Sequence, residues 1–248
     1  MRSYAEVTAG LEFASIDLRQ VVPWGRSLNE YVHMFDLTDG DLSSRILDCG
    51  GGPASFNAEM HTRGRKVVSC DPIYQYCCED ISRRIDETYE MVLQKTVQSA
   101  ENFVWREVKS PEHLGLVRMK AMRHFLEDLP LGISQGRYRA AQLPVLPFRD
   151  AEFDLALCSH FLFTYSHLLS FEFHCASIRE LCRVSSETRV FPLLPNFGNS
   201  LSPHLAPLVS LLRAEGYSCE IRLVPYEFQK GADKMLCIHS PLSLENNW

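Results

Sequence analysis

The chain has 248 residues, 46% of them hydrophobic, enough to bury a sizeable core without disulfides or a structural metal. A formal net charge of −6 and the absence of any Lys/Arg run disfavour a nucleic-acid partner, which needs a basic track along its phosphates. No signal peptide opens the chain and no stretch approaches about eighteen uninterrupted apolar residues, so a soluble, cytoplasmic protein without a membrane span is expected.

Residues 1–42 precede the first strand-like run and form a separate helical segment. Within it, Pro23-Trp24-Gly25-Arg26-Ser27 is a turn leading into a helix through Leu28, Tyr31, Val32 and Phe35. Arg26 has two readings: it meets the carboxylate of a cofactor or of an acidic substrate, or it is a solvated arginine at a helix start, with Trp24 packed on the body.

The most informative stretch is Ile46-Leu47-Asp48-Cys49-Gly50-Gly51-Gly52-Pro53-Ala54. Ile46 and Leu47 read as a buried parallel strand, and three glycines let the backbone turn sharply and approach a ligand without Cβ clashes. Pro53 is expected at the first helical position, Phe56 and Met60 follow at helical spacing, and Gly64 stands where the helix stops. The loop lies at the carboxyl end of its strand, where open α/β sheets bind ligands. A dinucleotide fingerprint wants a third glycine or alanine where Ser55 stands. The S-adenosylmethionine pattern wants an acid two residues before the first glycine and a small residue at every second position, which Asp48, Gly50, Gly52 and Ala54 satisfy. A carboxylate near a pyrophosphate would be repelled, so Asp48 also argues against a dinucleotide.

The second strand, Lys66-Val67-Val68-Ser69-Cys70, ends at Asp71, nineteen residues after Gly52, an acid able to accept both ribose hydroxyls. The next strand-like segment comes only after Gly136, whereas a crossover needs about 20 residues. Residues 74–136 therefore contain a helical insertion. Ile81, Ile85, Tyr89, Val92 and Leu93 recur at helical spacing, as do Leu114, Val117, Ala121, Met122, Phe125 and Leu129, with Ser110-Pro111 as a helix start. Two or three helices are expected, with Gly132 and Gly136 leading back to the sheet. Because the insertion begins beside Asp71, a lid or substrate-recognition subdomain over the ligand mouth is expected; the alternative is an appendage that dimerises or merely covers the sheet.

Farther on, Leu146-Pro147-Phe148 precedes a strand, Phe153-Asp154-Leu155-Ala156-Leu157-Cys158-Ser159, and then His160. At this point the chain resembles the class I S-adenosylmethionine-dependent methyltransferases, especially the subgroup similar to the ubiquinone and menaquinone C-methyltransferases, where an LPF segment precedes an FDLV-type fourth strand and a Ser-His. The resemblance spans roughly residues 43 to 240. It implies a Rossmann-like α/β fold, a seven-stranded, mostly parallel sheet with an antiparallel last strand, built from residues 43–73 and 137–248. It also implies that Asp48, Gly50, Gly51 and Gly52 hold the methionyl end of S-adenosylmethionine and Asp71 the ribose. Pro72 and Ile73 would flank the adenine, and Leu143, Ser159 and Arg26 would complete the cofactor site. The family often has an acid four residues before the leucine of LPF to receive the adenine amino group; here Gln142 stands there, and its amide oxygen can accept that bond.

The closing elements read as a helix over Glu172 to Cys182, a strand over Arg189 to Leu194, a helix over Pro203 to Ala214, and a hairpin of Cys219 to Tyr226 with Lys234 to His239. No second nucleotide-binding half is apparent. His160 stands where the reactive methyl of the family points and titrates in the range to take a proton, or else packs against the cofactor. Tyr74, Tyr76 and Tyr165 are candidates for the wall of an acceptor pocket. His167, His174 and His204 have no metal-site spacing, and the nine scattered cysteines offer no paired C-x-x-C for zinc. The adjacent Cys77 and Cys78 could bind a soft element such as arsenic, or simply face a helix surface. The expected function is methylation of a small molecule; a cofactor-binding protein without methylation, or another transfer from the same sulfonium such as aminocarboxypropyl transfer, are the alternatives.

Overall fold

A computed structural model describes residues 22–241. Helix α1 (Leu28–Phe35) starts at a capping box in which Ser27 and Glu30 bond each other's backbone amides, and a short α2 (Asp39–Ser43) repeats the device with Thr38 and Asp41. The strands are β1 (Ile46–Cys49), β2 (Val67–Cys70), β3 (Tyr138–Arg139), β4 (Phe153–Ser159), β5 (Ser185–Phe191), β6 (Ser218–Leu223) and β7 (Lys234–His239). They form one seven-stranded sheet in the order β3-β2-β1-β4-β5-β7-β6. β1 to β5 run parallel, whereas β7 is antiparallel to both β5 and β6. This is the Rossmann-like arrangement expected from the sequence. The chain order reverses between β1 and β4, so the ends of these strands open on the crevice where such sheets take ligands.

Alternation along the strands builds two cores. Leu47, Ala156 and Cys158 face Ile178, Leu181, Leu208 and Leu212 of α6 (Phe171–Val184) and α7 (Leu205–Ala214). Ile46, Leu155 and Leu157 face the other way, against Tyr31, Met34 and Phe35 of α1 and Phe56 and Met60 of α3 (Phe56–Thr62). The insertion consists of two long helices, α4 (Cys78–Gln98) and α5 (Pro111–Ser134), whose Ile81, Ile85, Met122, Phe125 and Leu129 close a third cluster with Tyr74 and Tyr138 at the β2–β3 edge.

Several boundaries differ from the sequence expectation for identifiable reasons. Pro53 sits inside the glycine turn rather than at the first helical position; α3 begins at Phe56 after Ser55. Gly132 lies within α5 and not in the return loop, because a Cβ there would stand 2.3 Å from the ring of Tyr138, so the helix needs a glycine to lie against β3. β5 runs Ser185–Phe191 instead of to Leu194, stopping where Pro192 has no N–H to offer, and β6 stops at Leu223, short of Pro225. Residues 1–21 of the expected leading segment lie outside the described residues.

Candidate functional site

The site is built on the turn after β1. Gly50 (φ 70°) and Gly52 (φ 53°) occupy the left-handed region, and a Cβ on the intervening Gly51 would stand 2.3 Å from Asp48 Oδ2. A left-handed backbone thus favours glycine at 50 and 52, and crowding by Asp48 demands it at 51. Asp71, at the end of β2, clamps the turn: Oδ2 accepts from Gly52 N at 3.0 Å and Oδ1 from Ile73 N at 2.9 Å. Tyr74 adds support by donating from its hydroxyl to Gly52 O at 2.8 Å.

Asp48 lies one layer below. Its Oδ1 accepts from the Tyr31 hydroxyl and its Oδ2 from the Ser69 hydroxyl, each at 2.9 Å, and it does not line the cavity described next. The sequence expects Asp48 to hold the methionyl end; in the fold the α1 tyrosine and the β2 serine each bond one of its oxygens beneath the turn. Burial pushes Asp48 up to about 7, offset by the hydrogen bonds from Ser69 and Tyr31 and reinforced by the nearby Asp71. Burial likewise raises Asp71 to about 6, against the two backbone amides that stabilise its charged form.

A cavity of about 550 Å³ opens over the carboxyl ends of β1, β2, β4 and β5. Gly50, Gly51, Gly52, Asp71, Pro72, Ile73, Gln142, Leu143, Ser159, His160 and Arg26, all singled out from the sequence, line it together. Tyr76 and Tyr165 also line it, whereas Tyr74 is held behind the turn. Arg26 is partly buried; it bonds Trp24 O at 3.1 Å through Nη1, and burial holds its guanidinium below the usual arginine range.

His160 has a positive φ of 49°, and its N–H donates to Phe191 O at 2.6 Å, which turns the ring toward the cavity across the end of β5. Burial, then the cations Arg26 and Arg118, hold its pKa well below the ordinary 6.5, so the ring is neutral. Nδ1 lies 3.0 Å from Ser159 Oγ. Ser159 thus ties the His160 ring to the end of β4, whichever of the two atoms donates.

The insertion forms one wall. Asp80, Ile81, Arg83, Glu87, Met91 and Lys95 of α4, with Phe103 beyond it, line the mouth. A buried ion pair ties the insertion to the leading helix: Arg118 of α5 reaches Glu30 Oε2 at 2.6 Å, and the Tyr226 hydroxyl donates to Glu30 Oε1 at 3.1 Å. Nothing in the local sequence pairs Glu30 with Arg118, eighty-eight residues away. The same holds for Tyr31 and Ser69 around Asp48, and for Phe103, Thr164, Phe197 and Phe228, which enter the cavity from four separate loops.

The remaining candidates lie elsewhere. Cys77 is exposed at the start of α4, with its thiol 3.2 Å from Asp80 Oδ2, and Cys78 packs against α5; neither lines the cavity. The ring of His174 bonds the carbonyls of Ser170 and Leu162. No group of three potential metal ligands occurs among the described residues, and no helix among them is long and apolar enough to cross a membrane.

No protein-family model matches the chain. The uncharacterized protein MJ0045 of Methanocaldococcus jannaschii is 34% identical over 225 residues, which cover 90% of this chain and 98% of that protein. Among solved structures, the magnesium protoporphyrin IX methyltransferase of Synechocystis with bound S-adenosylmethionine is 14% identical with a TM-score of 0.44, covering 86% of this chain and 77% of its own. A TehB-like S-adenosylmethionine-dependent methyltransferase of Corynebacterium glutamicum is 12% identical with a TM-score of 0.41, over 80% of each chain. A further S-adenosylmethionine-dependent methyltransferase, from Aquifex aeolicus, is 12% identical with a TM-score of 0.40, over 86% of this chain and 87% of its own.

Proposed function

The chain belongs to the family of the archaeal protein MJ0045, and we propose that it is an S-adenosylmethionine-dependent methyltransferase acting on a small-molecule acceptor. The observation that carries this reading is a single cavity that holds the glycine turn, Asp71 and His160 together. The residues fit the cofactor. The turn packs so closely on Asp48 and Tyr74 that Gly51 admits no Cβ, and Gly50, Gly51 and Gly52 line the cavity. Asp71 keeps lone pairs for ribose hydroxyls beyond those given to Gly52 and Ile73, while Ile73 and Leu143 offer apolar walls for a base and Gln142 an amide at its edge. The bound cofactor would supply an electrophilic methyl group on a sulfonium.

The rest of the chemistry falls to this chain. The cavity walls bring the acceptor into line. The neutral His160 keeps a ring lone pair free for an acceptor proton throughout the physiological range, but its depressed pKa makes it a weak base. A fitting acceptor is therefore one that is already acidic or loses its proton only as the methyl arrives. Aminocarboxypropyl transfer would call for an opening beside Asp48; that residue is buried, and the cavity extends past His160 instead, which favours methyl transfer. Continuity of the cavity beyond His160 to Phe103 and Phe228 likewise supports an enzyme over a cofactor-binding regulator. The insertion is read as the lid that selects the acceptor, since α4 supplies one wall of the mouth.

Asp71→Ala tests the assignment. Loss of the charge-assisted bonds should weaken S-adenosylhomocysteine binding, measured by calorimetry on folded protein, by roughly 1–3 kcal/mol. Unchanged affinity would remove Asp71 from the cofactor site.

A further inference from the structure

Two polar atoms on the cavity wall, Arg26 Nε and Thr164 Oγ1, are buried without a hydrogen-bond partner among the described residues. A buried guanidinium nitrogen and a buried hydroxyl left in this state are costly unless a ligand completes them. Arg26 makes one bond, to Trp24 O, and no ion pair among the described residues, because the nearby Glu30 is committed to Arg118. Thr164 immediately precedes Tyr165, whose hydroxyl accepts from Val22 N at 3.3 Å, so its loop lies against the same leading segment that carries Arg26. Thr164 follows His160 by four residues, so the orphan hydroxyl lies on the His160 side of the cavity that Arg26 also lines.

That side is walled by rings. Phe191 meets His160 edge-on at 5.4 Å and Tyr226 edge-on at 5.8 Å, and Phe103 stacks on Phe228 at 4.8 Å and meets Phe197 edge-on at 5.9 Å. All of them line the cavity. Such a wall suits a flat apolar body, and a guanidinium without an ion-pair partner among the described residues suits one carboxylate.

We infer that the acceptor is an aromatic carboxylate, its carboxylate received by Arg26 and Thr164 and its ring lying among Phe191, Phe197, Tyr226 and Phe228. This inference rests on the methyltransferase reading of the cavity. It assigns the orphan guanidinium to the acceptor and not to the methionyl carboxylate of the cofactor.

The test is calorimetric titration of the protein saturated with S-adenosylhomocysteine, using benzoate, benzyl alcohol (ring without charge) and acetate (charge without ring). Benzoate should bind at least about tenfold more tightly than either control. Arg26→Gln should abolish that preference while leaving S-adenosylhomocysteine affinity within about twofold, and Thr164→Val should weaken benzoate several-fold. Benzoate binding no better than benzyl alcohol or acetate would overturn the inference. A parallel loss of benzoate and S-adenosylhomocysteine in Arg26→Gln would overturn it too, giving the guanidinium to the cofactor. Should Arg26→Gln fail to fold, the wild-type comparison and Thr164→Val decide. Absence of S-adenosylhomocysteine binding to the wild type would instead defeat the methyltransferase reading, and this inference with it.

Discussion

At the scale of single residues, the site is defined by two neighbouring acids, Asp48 buried beneath the glycine turn and Asp71 at the cavity wall. Asp48 titrates at about 7 in the folded protein but near 3.9 in an unfolded chain. Between those values the native state keeps a proton that the unfolded chain has released. Stability therefore falls as pH rises from about 4 to about 7, by at most ~1.4 kcal/mol per pH unit from this group. Asp71, raised to about 6, adds the same sign over a narrower window. An asparagine at position 48 still accepts from Tyr31 and donates to the oxygen of Ser69, and it carries no charge. Asp48→Asn should accordingly show a shallower pH slope in urea unfolding and be at least as stable as the wild type at pH 8. A slope equal to that of the wild type would contradict the account. Asp71 and His160 were legible in the sequence because strand ends and glycine spacing are local signals. The layer that Asp48 occupies was not, because Tyr31 and Ser69 come from elements that meet only in the folded protein.

At the scale of elements, two devices position the site. The first is the turn after β1. A Cβ on Gly51 would meet Asp48 Oδ2 at 2.3 Å and the Tyr74 hydroxyl at 3.0 Å, so the turn must shift to admit it. Gly51→Ala should cost more than about tenfold in S-adenosylhomocysteine affinity, and an affinity within twofold of the wild type would show that the turn does not shape the ligand site. The second is the pair joining the insertion to α1. Arg118 is 1% exposed and Glu30 9% by side chain, so removing one partner strands a buried charge. Arg118→Met should destabilise by about 3–5 kcal/mol, and adding Glu30→Gln should restore much of the loss. A cost below about 1 kcal/mol in the single variant would mean that the insertion is anchored by its apolar cluster alone. Hydrophobic periodicity located α4 and α5 in the sequence, yet their ends and the glycine inside α5 depended on contacts with β3 and Tyr138. Proline also trimmed β5 and β6 in ways that a run of apolar residues does not reveal.

At the scale of the whole molecule, the strand order brings residues from both ends of the chain to one opening. Arg26 from the leading segment, the glycine turn, Asp71, α4, His160 and Phe228 share a cavity although they span some two hundred residues. The order of strands and helices, read from motif spacing and periodicity, foretold the sheet and the position of the opening. It did not foretell the acceptor side, whose rings are scattered over loops without a repeating pattern. The central claim is that this opening is built for S-adenosylmethionine and not for a dinucleotide. Calorimetric titration of the wild-type protein with S-adenosylmethionine, S-adenosylhomocysteine and NAD in parallel tests it most directly. The account predicts micromolar binding of the first two and none of NAD; binding of NAD, or of none of the three, would contradict it.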